Sequence, residues 1–392
     1  MSSHVLVDKS LRLEAQFGGF LVEGRAFAEP GVQAHYGPDR GFVLQHLDIH
    51  LDIDPEERRM SGEVHLRVAP LASGMGPVEF DLVDMRVDAV LDGEQNPLDF
   101  VHEEGRLKVL GVRSKGDTLV VRYHGVPSRG MYFTGPTVPE PDRAHMAWTQ
   151  CQDEDAHYLV PCLDHPSFRA PFDVHVTAPE GYTVVSNGVM GGREGNTWSW
   201  SMKHPVPIYL LSVVVAKLDL HQSEWRGRPV RYLVPEGTAK EGVDRAFEKT
   251  PEMLEVLSET YGVEYPWSRY DQVVVHDFIF GGMENVTATT LIDLVLTDER
   301  ASLDWDPEDL VAHELAHQWF GDFLTCQDWS QGWLNEGWAT YSETLWKTHR
   351  RGVDEAVYGL FRQLESYCAE DGSRYRRPIV SYLFREPIDL FD

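Results

Sequence analysis

Between about residues 42 and 220, apolar and polar residues alternate in short runs, and no other feature limits the fold as strongly. Examples are "LQHLDIHLDI" (44–53), "GEVHLRVAPL" (62–71), "TLVVRYHG" (118–125) and "FDVHVTAPEGYTVVSNG" (172–188). A period of two sends alternate side chains to opposite faces, so each run reads as a half-buried strand. Turn formers such as "EGR", "KGD" and "PEG" punctuate the runs every 8 to 12 residues or so, the spacing expected of antiparallel sheets. This part is expected to form an antiparallel, sandwich-like β domain.

Past residue 220 the texture changes. "AKEGVDRAFEKTPEMLEVLSETYG" (239–262) places apolar residues at helical spacing, with Pro251 breaking or restarting the helix. "YDQVVVHDFIFGGMENVTATTLI" (270–292) reads as a strand, a glycine pair and a second strand. In "DWDPEDLVAHELAHQWFG" (304–321), Asp306 is suited to the N-cap and Pro307 to the first helical position, with acids in the first turn. A further helix is expected from about Trp333 to His349. Its basic end, "KTHRRG" (347–352), suits a helix C-terminus followed by a glycine cap, and the last residues, with two prolines, read as irregular. The class is therefore α+β, with domains at 1–220 and 221–392, the second a mixed α/β unit. A chain of 392 residues that is 42% hydrophobic has material for two cores.

Charge and cysteine usage narrow the partners. Thirty-five basic residues against 63 acidic ones give a formal charge of -28, which repels phosphate backbones and anionic lipid, so neither nucleic acid nor membrane is expected as a partner. The first twenty residues lack a basic start followed by an apolar run, and the longest apolar stretch, "YLLSVVVA" (209–216), is too short to span a bilayer. Cys151, Cys162, Cys326 and Cys368 show no CxxC pairing and read as reduced thiols. A cytoplasmic location follows as the expectation.

The chemistry concentrates in "VAHELAHQWFGDFLTCQDWSQGWLNEGWAT" (311–340). Residues i and i+4 share a helix face, so His313 and His317 can present imidazole nitrogens to one ion. Zinc accepts nitrogen and carboxylate ligands, and a catalytic site supplies three while leaving the fourth position to water. Glu336, on the next helix, is the third candidate. Glu314, about 100° further round the helix, falls beside the open position and can serve as general base toward a metal-activated water. Asn335 and Thr340 are placed as outer partners for the histidines. A helix face carrying incidental polar residues is the plainer interpretation, and the delayed glutamate weighs against it.

With these residues in hand, the sequence resembles the M1 aminopeptidases, gluzincins of the aminopeptidase N and leukotriene A4 hydrolase type. His313, Glu314, His317 and Glu336 match the family's HExxH, eighteen residues, Glu pattern, and "GGMEN" (281–285) matches its GxMEN motif. A third match runs from "TQ" at Thr149 and Gln150 through "PCLDHP" to "SNG" at Ser186–Gly188. The resemblance covers the chain from about residue 40 onward. It implies a thermolysin-like catalytic domain, one zinc ion per chain, and peptide substrates with a free N-terminus. It also implies that Glu284 binds the substrate ammonium, that Gly281 and Gly282 let a substrate backbone approach, and that Gln150, Met283 and Phe280 line the first-residue pocket. A carboxylate is a natural receptor for an α-amino group that is largely protonated at neutral pH.

Two departures accompany the match. His157 stands where the family often has Arg ahead of Pro-Cys, which puts a local ionic contact in doubt. The family's oxyanion-stabilising tyrosine is expected about sixty residues beyond the third ligand, whereas the sequence ends at Asp392, 56 positions past Glu336, and neither Tyr375 nor Tyr382 has its context. The expectation is therefore a C-terminally truncated catalytic domain, with the remaining segment as a partner. A thermolysin-like endopeptidase and a catalytically weak or silent peptide-binding module stand as alternatives. "NVT" (285–287) is a formal glycosylation sequon of little weight.

Overall fold

The computed structural model describes residues 26–71, 76–112 and 117–391. The first twenty residues, most of the "KGD" turn and Asp392 lie outside the described residues.

A seven-stranded sheet forms the backbone of the N-terminal domain. Its order is Val189–Glu194, Thr197–Pro207, Arg169–Thr177, Phe42–Asp54, Arg59–Pro70, Thr118–Gly125 and Arg86–Asp92. In the strand Phe42–Asp54, Leu47, Ile49, Leu51 and Ile53 are buried while Asp48, His50 and Asp52 face outward, the alternation that the sequence predicts. The expectation of purely antiparallel pairing needs one correction. Phe42–Asp54 and Arg169–Thr177 run parallel, with Leu47 opposite Phe172 and His50 opposite His175. A period of two looks the same in either direction, so the pattern alone could not show it. Smaller sheets of four strands (Thr183–Ser186, Val213–Ala216, Met146–Gln150, Gly130–Thr134) and three strands (Val78–Asp81, Arg106–Val109, Phe100–Glu103) pack with it.

The mixed domain is built on a five-stranded sheet in the order Leu218–Trp225, Arg228–Pro235, Tyr270–Val275, Ala288–Ile292 and Gly282–Met283. Among the described residues five α-helices accompany it: α1 (Lys240–Phe247), α2 (Thr250–Tyr261), α3 (Glu308–His317), α4 (Trp333–Arg351) and α5 (Val353–Ser373). Pro251 sits in the first turn of α2, where its missing N–H costs nothing, and Gly262 ends that helix in the left-handed region. The sequence reading passed over α5. Val353, Val357, Leu360 and Leu364 recur along it at helical spacing and are all exposed, a stripe from which it could have been found. Beyond α5 the chain is largely irregular, as expected. Among the described residues no helix is long and apolar enough to cross a membrane. All four cysteines are free thiols; Cys151, Cys162 and Cys326 are buried and Cys368 is exposed.

Candidate functional site

Helix α3 carries the two histidines. Asp306 Oδ1 accepts a hydrogen bond from the Glu308 N–H at 2.9 Å. Pro307 takes the capping position, so the helix starts one residue later than the sequence suggested. Val311, Ala312, Leu315 and Ala316 are buried and anchor the helix. That anchoring leaves His313 and His317 turned toward α4.

Three donor atoms converge there. His313 Nε2 and His317 Nε2 lie 3.1 Å apart, and each is 3.4 Å from Glu336 Oε2. An ion bonded at about 2.05 Å to three corners of a tetrahedron holds those corners about 3.3 Å apart, so the triangle fits zinc. The outer ring nitrogens are already engaged. His313 Nδ1 lies 2.7 Å from Glu343 Oε1, and His317 Nδ1 lies 2.9 Å from the carbonyl oxygen of Phe320. Those acceptors place the protons on Nδ1 and leave both Nε2 lone pairs aimed at one point, an arrangement that repels unless a cation sits between them. Burial works against charge on His313, but Glu336 and Glu343 at its two nitrogens outweigh it and raise its pKa to about 9, so without a cation to take the Nε2 lone pair the ring would carry a second proton there at neutral pH.

Asn335 and Thr340 do not fill the roles expected of them. Asn335 accepts from the Cys326 N–H at 3.0 Å and donates to Tyr209 Oη at 3.2 Å, so it braces the loop ahead of α4. The partners of the imidazoles are instead Glu343 and the Phe320 carbonyl. Glu343 lies seven residues after Glu336, two turns along the same face of α4, and that spacing was the available signal.

Glu314 is buried, and its Oε2 has no hydrogen-bond partner. Burial pushes its carboxyl up to about 8, against the pull of His313 and His317. Its position explains Gly282, since a Cβ there would lie 2.1 Å from Glu314 Oε1. The glycine makes room for this carboxylate, a more immediate requirement than the approach of a substrate backbone. Gly281 adopts φ +87°, in the region that favours glycine.

Glu284 is also buried, with Oε1 4.0 Å from His317 Nδ1 and 3.5 Å from Gln152 Nε2. Burial raises its pKa and His317 counters the effect. Gln150 Nε2 lies 3.3 Å from Met283 Sδ, so these two candidate pocket residues meet, whereas Phe280 is 47% exposed. Gln318, which the sequence reading missed, fixes this segment. Its Nε2 donates to the Glu284 carbonyl at 2.8 Å and its Oε1 accepts from the Thr287 N–H at 2.9 Å. Asn285 of the sequon is fully buried.

Comparison with known proteins bears on this arrangement. Residues 43–210 match the Peptidase M1 N-terminal domain and residues 245–392 the Peptidase family M1 domain. An aminopeptidase N of Acetobacter pasteurianus is 33% identical over 242 residues, covering 58% of this chain and 68% of that protein. The chain belongs to peptidase family M1. Another relative, leucine aminopeptidase 2-1 of Meyerozyma guilliermondii, is 34% identical over 361 residues, covering 89% of this chain and 56% of that protein. The chain spans between about a fifth and two thirds of the length of the curated relatives it matches, and 34%, 56% and 48% of three of them. A crystal structure of an M1 zinc metallopeptidase from Deinococcus radiodurans superposes with a TM-score of 0.71 at 26% identity, covering 93% of this chain and 82% of that one. A mutant of that metallopeptidase was crystallised with a Tyr-Ser-Ala substrate.

In this M1 chain the third sequence motif has a structural task. Asn187 Nδ2 donates to the carbonyls of Leu210 at 2.9 Å and Val286 at 3.0 Å, and the Gly188 N–H donates to Thr287 Oγ1 at 2.8 Å. The N-terminal domain thus grips the turn that follows the GxMEN segment. His157 Nδ1 lies 3.0 Å from Asp164 Oδ2, and burial lowers the pKa of the ring to about 4, so a neutral imidazole stands where the family often has the cationic Arg.

Proposed function

We propose that the chain is a zinc-dependent aminopeptidase that hydrolyses the N-terminal bond of peptides, with domains at 1–220 and 221–392. The observation that carries this reading is the convergence of His313 Nε2, His317 Nε2 and Glu336 Oε2 within 3.1–3.4 Å, beside the unpartnered Oε2 of Glu314. His313, His317 and Glu336 hold one zinc ion, which when bound supplies Lewis acidity toward water and the scissile carbonyl. Glu314 takes the proton from the attacking water and passes it to the departing amine nitrogen as the C–N bond breaks. Its raised pKa suits a carboxylate that must both accept and release a proton near neutral pH.

Glu284 receives the substrate ammonium, and the neighbouring Gln150, Met283 and Gly281 border the first residue. The Deinococcus radiodurans relative, crystallised with a short peptide substrate, supports peptides as the substrate class. Neither Tyr375 nor Tyr382 is assigned a catalytic part, because Tyr375 packs against Phe27 at 5.1 Å and Tyr382 against Tyr36 at 5.2 Å.

The test is Glu314→Gln assayed on an amino-acyl reporter. The variant is expected to retain zinc by mass spectrometry while kcat falls by about 10² to 10⁴. Undiminished turnover would remove Glu314 from its role. Acetylating the reporter amine is expected to abolish cleavage, and equal cleavage of the blocked reporter would point to an endopeptidase.

A further inference from the structure

The outer face of the seven-stranded sheet carries a second cluster of metal-ligating side chains, far in sequence from α3. Asp48 and His50 lie two apart on Phe42–Asp54, so they share a face, and His175 stands directly opposite His50 on the parallel strand. The rings of His50 and His175 stack with centroids 4.5 Å apart and planes 16° from parallel. Both Nε2 atoms approach one oxygen, Asp48 Oδ1, at 3.1 Å from His50 and 3.2 Å from His175.

Asp48 Oδ1 is shielded from solvent, yet no hydrogen bond of acceptable geometry reaches it. The two imidazoles are close to this oxygen without pointing an N–H at it. Ligands arranged around a common ion produce that pattern, because their lone pairs aim at the ion and not at one another. Burial works against charge on Asp48, and His175 and His50 outweigh it, so the carboxyl is held well below the usual carboxylate range and stays ionised, as a ligand must be.

We propose that Asp48, His50 and His175 form a second cation site, which takes a divalent ion of the zinc class. Two imidazoles and one carboxylate select a borderline-soft transition ion over calcium or magnesium, which prefer all-oxygen shells. His175 Nδ1 lies 2.8 Å from Ser199 Oγ on the next strand, a contact that fixes the ring and leaves Nε2 for the ion. Glu63, opposite His50 on the neighbouring strand, is already held by Arg122 Nε at 2.5 Å and by His65 Nε2 at 2.8 Å, so it is not counted among the ligands. His50, His175 and Asp48 are 44%, 28% and 34% exposed at their side chains, so an ion can enter from solvent. The ligands lie on two paired strands, Phe42–Asp54 and Arg169–Thr177, which hold them in place. It would act as a cross-strand staple on the one parallel ladder of this sheet, independent of the hydrolytic centre.

The test counts zinc in the full chain after chelator stripping, reloading with Zn²⁺ and desalting. Wild type is expected to hold two ions, and the His50→Ala/His175→Ala pair one. A His313→Ala/His317→Ala pair should also hold one, which separates this inference from the functional reading. His124→Ala, at the Asp88 pair on the same sheet, should keep both. Should the double variant fold poorly, His175→Gln alone is expected to weaken the second zinc more than tenfold in a calorimetric titration, with an unchanged circular dichroism spectrum. A single ion in wild type that the His313→Ala/His317→Ala pair abolishes would overturn the proposal. So would a second ion that survives His50→Ala/His175→Ala, or one lost equally in His124→Ala.

Discussion

Glu343 shows how a single side chain can matter without touching the reaction. Its carboxylate lies 2.7 Å from His313 Nδ1, which fixes the tautomer and makes the ring a stronger ligand. Glu343→Ala is expected to weaken zinc binding by about 10- to 100-fold, measured by competition with a chromogenic chelator; unchanged affinity would dismiss the assignment. The ligand positions were legible because i and i+4 spacing is local. The Glu343 contact depends on how α3 and α4 cross, and no local pattern records that. Glu154 carries a different consequence. Its Oε1 accepts from Trp329 Nε1 at 2.8 Å, and burial, followed by the nearby Asp164, raises its pKa from 4.5 to about 8. Between those values the folded chain binds more protons than the unfolded one. The stabilising neutral form is therefore fully present below pH 4.5 and is lost as pH rises through about 8. Glu154→Gln stays neutral and keeps an acceptor for Trp329, so its Tm should exceed that of wild type at pH 9 and match it near pH 5. An equal gap at both pH values would contradict this reading of the buried carboxyl.

Strands and helices set the precision of the site. The short strand Gly282–Met283 runs past α3 so closely that a methyl group at residue 282 would lie 2.1 Å from Glu314 Oε1 and 2.4 Å from its Cδ. Gly282→Ala should therefore swing the Glu314 carboxylate aside and lower kcat by about 10², while zinc content and thermal stability stay near wild type. Full activity would show that Glu314 has room to spare. Sequence pattern found the main elements of the candidate site, since the start signals at Asp306 and Pro307 and the apolar spacing of α1 and α2 are written locally. It did not give the direction of the strand pairing His50 with His175. It also could not show that Gly282 is needed by a carboxylate 32 residues later in the chain, because that contact exists only in three dimensions.

Across the whole molecule, Arg269 ties the Ser186–Gly188 stretch to the strand Tyr270–Val275 beside the candidate site. Arg269 is 5% exposed; it donates to the carbonyls of Ser186 and Gly188 in the N-terminal domain and pairs with Asp271, which Arg231 also holds. Arg269→Met leaves those carbonyls and part of the Asp271 charge without a partner, and a loss of about 3 kcal/mol is expected in urea unfolding. A change under about 1 kcal/mol would show that Arg231 suffices. The turn gripped from the N-terminal side by Asn187 is gripped from the catalytic side by Gln318, the residue next to His317. If Glu284 seats the amine, as proposed, the span from that seat to the imidazoles cannot stretch to suit a guest. Such a rigid yardstick measures off one residue from the chain end whatever its side group. A peptide beginning with a β-amino acid, one methylene too long, would overshoot the mark.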